Sequence, residues 1–257
     1  MSVNSYLKDL ASDLVLSTDE KESISTSIDT IKNRLGLYFT TDVEEKKVFG
    51  SYDRGTILPR KDDENSDVDL MVVFKNPYEY KPQTFLKKLK NFAEKYYSRS
   101  EIYQSSPTVV LELHHIKFEL VPAYKKYGCY YIPNGQSDWT DTDPDGFKDT
   151  LIKCNNMNSS KIKPMIRLLK HWNIKNNDRD LASFSLEKQI AENMMFSFLS
   201  CSSYTDYLKN AFEKIKYSTS IERVNKAIEH IDDALEYEKN GREYLALLEI
   251  KRAFPEV

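Results

Sequence analysis

Val3, Tyr6, Leu7, Leu10 and Leu14 recur at helical spacing, so residues 3–16 read as an amphipathic helix. Ser17-Thr18-Asp19-Glu20 follows as a capping-box pattern, and Ile24, Ile28, Ile31 and Leu35 carry the stripe of a second, longer helix. The period then changes. Val48-Phe49 runs into Gly50, and Val68 through Phe74 is a short, β-branched, apolar run of the kind that forms a buried strand. Residues 82–98 return to helix, with Phe85, Leu86, Leu89, Phe92 and Tyr96 inward. Thr108–Leu113 and Ile116–Val121 read as a hairpin turning at His114-His115, and a loop-rich stretch follows to about Phe147. Helices are predicted over 147–157, 160–176, 184–201, 204–216, 219–237 and 242–252. The fold class is α+β: a small mixed sheet with flanking N-terminal helices, and a C-terminal helical bundle closing a cleft. Residues 1–150 form the first domain and 151–257 the second.

Composition narrows the function classes. The chain has 257 residues, 40% of them hydrophobic and 12% aromatic, so it can bury a core and disorder is not expected. Its net charge of −3 lacks the basic excess of a protein that grips long nucleic acid. Cys129, Cys154 and Cys201 are far apart and odd in number, and no disulfide framework or zinc knuckle can be drawn from them. The N-terminus has no apolar signal core and no segment is long and apolar enough to span a membrane, so a soluble, cytoplasmic protein is expected.

The candidate chemistry begins at Phe49-Gly50-Ser51. A Gly-Ser turn between strand and helix exposes backbone N–H groups to a phosphate, although ordinary connections also use it. Next comes Ser66-Asp67-Val68-Asp69-Leu70. Strand residues two apart share a face, so Asp67 and Asp69 project together while Val68 and Leu70 enter the core. Paired carboxylates repel unless a cation neutralises them, and Mg2+ suits oxygen ligands completed by nucleotide phosphates. Glu119 shares its strand face with Lys117 and Val121, and is the candidate third carboxylate, with Glu112 on the preceding strand as its rival. Asp141, Asp143 and Asp145 precede a helix and suit its N-terminus; they carry no calcium-loop pattern. His114, His115 and His230 are isolated.

In that order these segments resemble the polymerase-beta-like nucleotidyltransferases. Gly50-Ser51 with Asp67-Val68-Asp69 is similar to that superfamily's signature. The fuller runs resemble its oligoadenylate synthetase and cGAS/DncV-like (CD-NTase, SMODS) branch. Phe118-Glu119-Leu120-Val121-Pro122-Ala123 resembles the third-carboxylate strand, with glutamate where aspartate is usual. Met165 through Trp172 is similar to a helix whose lysine, here Lys170, holds donor phosphates. Ser183-Phe184 resembles a helix start whose serine touches the triphosphate and whose ring stacks on a base. The resemblance spans residues 45–200, with an acidic insert, Lys61-Asp62-Asp63-Glu64-Asn65, between Ser51 and Asp67.

The resemblance implies an enzyme that joins nucleoside triphosphates (NTP or dNTP) into a cyclic or linear second messenger and releases pyrophosphate, in bacterial anti-phage defence. Asp67, Asp69 and Glu119 would hold two Mg2+ ions, with Mn2+ able to substitute. Gly50, Ser51, Lys170, Ser183 and Phe184 would bind the donor nucleotide. Alternatives are a terminal transferase that extends a polynucleotide or nucleotidylates a protein, and a catalytically dead nucleotide-binding module. No long nucleic-acid activator is expected; an effector or regulatory protein could supply control.

Overall fold

The computed structural model describes residues 1–76, 79–105, 107–193 and 196–257. Ten helices and seven strands follow one another among these residues. The opening helices are α1, Val3–Asp13, and α2, Thr18–Phe39. Ser17 caps α2 through a complete capping box with Glu20. Strand β1, Val43–Phe49, runs into the short helix α3, Gly50–Arg54. Strand β2, Asp67–Phe74, follows, and then helix α4, Pro82–Tyr96.

Strands β3, Ile102–Ser105, β4, Thr108–Glu112, and β5, Lys117–Lys126, complete the main sheet. Its order is β1-β2-β5-β4-β3; β2 and β5 are parallel and every other neighbour is antiparallel. The β4–β5 hairpin turns through residues 113–116 as its sequence predicts, closed by Leu113 N–H donating to Ile116 O at 3.1 Å.

The stretch expected to be loop is strand instead. β5 continues past Pro122 to Lys126, and β6, Cys129–Asn134, and β7, Asp138–Thr142, extend the sheet from its far end. Tyr127 and Gly128 both take positive φ, 52° and 84°, which makes the tight β5–β6 hairpin possible. Aromatic packing then holds the hairpins down: Tyr124 stacks on Tyr131 at 5.1 Å and meets Trp139 edge-on at 4.8 Å.

The remaining helices are α5, Pro144–Met157, α6, Ile162–Asn176, α7, Ser183–Asn193, α8, Tyr204–Ile215, α9, Ile221–Lys239, and α10, Glu243–Ala253. The helix predicted over 184–201 stops earlier: Phe196–Ser200 is turn, Phe198 is buried, and Phe196 and Leu199 are exposed. Positions 194 and 195 of that prediction lie outside the described residues.

The chain divides into two compact units. One holds residues 17–60 and 65–146, the other residues 1–16, 61–64 and 147–257. The boundary therefore differs from a cut at residue 150. α2 packs on β1 and α4 within the sheet unit, whereas α1 packs on α6, α8, α9 and α10 in the helical unit. The reason is the stripe on α1: Val3, Tyr6, Leu7 and Leu10 are all buried, and Tyr6 donates its hydroxyl to Phe254 O at 2.6 Å. The acidic insert likewise belongs with the helices.

Candidate active site

The site builds outward from one strand. Val68, Leu70 and Val72 of β2 are fully buried, so alternation turns Asp67 and Asp69 to the opposite face. β5 lies parallel beside it, with Lys117 paired to Asp67 and Glu119 to Asp69. On the other flank Phe49, the last residue of β1, pairs with Asp69. The Gly50 turn therefore begins next to Asp69.

Gly50 has no sterically tolerable replacement there. Its φ is +73°, and a Cβ on it would stand 1.8 Å from Asp69 Oδ2. Behind it, the Ser51 carbonyl accepts backbone N–H bonds from Thr56 at 2.9 Å and Ile57 at 3.2 Å, which fixes α3 against the strand. Backbone and carboxylate are thus as close as they can be.

Three carboxylates share this face, and their repulsion is visible in Asp69. Burial first, then the neighbouring Asp67 and Glu119 charges, push its carboxyl up to about 8, against the opposing pull of Arg54 and Lys117. Glu119 is the nearer third member. Glu112 sits one strand further out, paired in register with Lys117, and meets Arg60 at 3.9 Å. A cation would relieve the crowding, and oxygen donors on adjacent strands are the right chemistry for a hard divalent ion. Among the described residues, no three such side chains form a closed metal cage. The Lys117 ammonium stands between Asp67 and Glu119 at 3.4 and 3.5 Å.

The other predicted donor-binding residues lie in the helical unit. Lys170 is buried on α6 and donates to Glu187 Oε1 of α7 at 2.6 Å, with Glu187 fully enclosed. Ser183 opens α7 and is exposed; Phe184 is half-exposed and meets Phe147 edge-on at 5.1 Å. Trp172 belongs to the core, packed against Phe212. Asp143 caps α5 through Gly146 N–H, as expected of an acidic residue before a helix.

Sequence reasoning missed a second charged cluster. Asp62, from the acidic insert, is completely buried with His171 Nδ1 at 2.8 Å and Lys175 Nζ at 3.2 Å, while His171 Nε2 donates to Pro255 O at 2.7 Å. These partners hold the Asp62 carboxyl below the usual range even though burial opposes it. Asp63 adds a bond from Arg179 at 2.7 Å. The insert is an anchor on α6, a role with no local sequence signal.

Residues 1–155 match the family model described as the Second Messenger Oligonucleotide or Dinucleotide Synthetase domain. The chain belongs to this family. The match covers the whole strand-borne carboxylate face and the Gly50 turn. A curated relative, the probable cyclic nucleotide synthase of Bacillus cereus (strain VD146), is 25% identical over 189 residues, which span 62% of this chain and 57% of the relative. The chain thus aligns with little more than half of that protein. Among solved structures, the Elizabethkingia meningoseptica CdnE cyclic dinucleotide synthase with GTP and Apcpp superimposes with a TM-score of 0.68, at 18% identity over 84% of each chain. The E. coli MS115-1 CdnC:HORMA-deltaN complex gives 0.72 at 12% identity, covering 98% of both chains. At these identities the structural matches establish a common fold. No helix among the described residues is long and apolar enough to cross a membrane.

Proposed function

We propose that this synthetase-family chain is a metal-dependent nucleotidyltransferase that joins nucleoside triphosphates into a cyclic or linear oligonucleotide second messenger, in bacterial anti-phage defence. The observation that carries the reading is the register of Asp69 with Glu119 on parallel strands, beside the Gly50 turn. Asp67, Asp69 and Glu119 would be the metal ligands, Mg2+ being the expected ion and Mn2+ a substitute. Bound there, divalent cations would neutralise phosphate charge and lower the barrier to ionising an attacking hydroxyl.

The chain's own residues do the rest. The Gly50-Ser51 turn presents its backbone to donor phosphates; by resemblance Lys170 and Ser183 also serve them, and Phe184 serves the base. Glu119 would ligate the ion that activates the attacking hydroxyl. In the transfer, that hydroxyl loses its proton to solvent, its oxygen bonds to the donor's α-phosphorus, and the bond to pyrophosphate breaks. Positioning and charge neutralisation supply most of the acceleration. The relatives support a nucleotide substrate, since the named solved enzyme binds GTP. The CdnC:HORMA-deltaN complex supports a protein partner for this chain.

The test is incubation with each labelled NTP and dNTP in Mg2+ or Mn2+, followed by nuclease digestion of the products. A short nuclease-defined oligonucleotide or cyclic dinucleotide is expected. Label found only on an added polynucleotide or on protein would replace this reading with terminal transfer or protein nucleotidylation.

A further inference from the structure

Lys117 is a cation on the carboxylate face that the proposed transfer leaves without a role. It opens β5 in register with Asp67 and two residues before Glu119, so all three rise from one side of the sheet. Its Nζ stands 3.4 Å from Asp67 Oδ2 and 3.5 Å from Glu119 Oε1, and its side chain is only 15% exposed. The ammonium therefore fills, with fixed positive charge, the gap between carboxylates on two different strands.

A divalent cation bound by those same oxygens and the ammonium cannot share that gap, because both need the oxygens and each repels the other. We propose that Lys117 is an internal counter-cation, exchanged for metal: it joins Asp67 to Glu119 before loading, withdraws as the ion arrives, and so sets how much metal the site requires. This rests on the reading of Asp67, Asp69 and Glu119 as metal ligands.

Lysine suits such an exchange. It is a compact charge on a flexible stem, whereas a guanidinium would lock onto a carboxylate through a planar fork. A place to withdraw to is at hand. Glu112 is the register partner of Lys117 on β4 and meets Arg60 at the long distance of 3.9 Å. Lys117 is thus a positioning residue that acts through the carboxylates it holds.

The experiment is a Mn2+ titration of nucleotide-free protein, with free ion followed by electron paramagnetic resonance. It compares wild type, Lys117→Met, Lys117→Arg and Asp69→Asn, each checked for folding by circular dichroism. Lys117→Met should bind Mn2+ roughly ten-fold more tightly, a change of about 1.4 kcal/mol, while Lys117→Arg should bind no more tightly than wild type. Should Lys117→Met fail to fold, Lys117→Gln takes its place with the same expectation. Unchanged or weaker binding in the neutral variant, with binding lost in Asp69→Asn, overturns the role of Lys117 and leaves the metal site standing. Wild-type binding in Asp69→Asn, or no binding by any of the proteins, overturns the metal-ligand reading itself.

Discussion

Asp69→Asn should stabilise the metal-free protein, by an amount that grows as pH rises from about 4 to about 8. The substitution keeps the shape that fits against Gly50 and removes the charge. In the folded chain the Asp69 carboxyl is pushed from 3.8 to about 8, first by burial and then by Asp67 and Glu119. The sign follows from proton linkage. Between about pH 4 and pH 8 the folded state keeps a proton that the unfolded state has released, so stability falls as pH rises through that window and levels off above it. Taken in full, such a shift amounts to ~6 kcal/mol. Asp69 keeps partial exposure, and removing one of three charges relieves only part of the repulsion, so about 2 kcal/mol is the expected gain above pH 8. For a chain of this length that is a rise of about 4–8 °C in Tm. The assay is thermal unfolding in chelator at pH 5 and pH 8.5. At pH 5 only the first part of that window has been crossed, so the variant should exceed wild type by a much smaller margin than at pH 8.5. An equal Tm change at both pH values, or a lower Tm for the variant at pH 8.5, would refute the claim that Asp69 bears the repulsion.

Gly50→Ala should cost at least about 1–3 kcal/mol in urea denaturation through its positive φ alone, and should abolish transfer, because the added Cβ displaces the Asp69 carboxylate. Wild-type stability and turnover would show that the turn has another conformation. Lys170→Met removes the ion-pair partner of the buried Glu187 carboxylate and should destabilise the protein by about 3–5 kcal/mol, with most of the loss recovered in the double variant Lys170→Met/Glu187→Leu; urea denaturation of both separates this packing effect from donor binding. Basal activity should be measurable with nucleotides and metal alone, since a net charge of −3 leaves little for duplex binding, and a time course with and without double-stranded DNA or RNA checks this. Strong activation by either nucleic acid would reveal a basic face that the net charge hides.

What could be read in the sequence was what is local. Asp67 and Asp69 announce a shared face because Val68 and Leu70 between and beyond them must be buried, and the period of two settles the rest. Glu119 was legible by the same alternation, and the β2–β5 register sets it beside Asp69 while Glu112 pairs with Lys117. Lys117 was on that face too, yet its bridge to Asp67 depends on parallel pairing that no local pattern encodes. β6 and β7 escaped notice because Cys129–Asn134, with Pro133 inside it, and Asp138–Thr142 carry no regular apolar alternation, and their ring contacts reach across to Tyr124 of β5. Their local signals were the turns, Tyr127-Gly128 before β6 and Asn134-Gly135 before β7. The bonds from Asp62 to His171 and from Lys170 to Glu187 join distant stretches of chain. Composition shows those charges, and only the fold shows that they are buried and matched.

The most direct test of the carboxylate face is a single-turnover assay. Purified wild type, Asp67→Asn and Asp69→Asn are mixed with α-labelled nucleoside triphosphates and Mn2+, and pyrophosphate release is followed together with label incorporation. Wild type should release one pyrophosphate for each phosphodiester bond formed, and each variant should lose roughly a hundred-fold or more in rate while remaining folded. A folded Asp67→Asn or Asp69→Asn protein that transfers nucleotide at the wild-type rate would contradict the account.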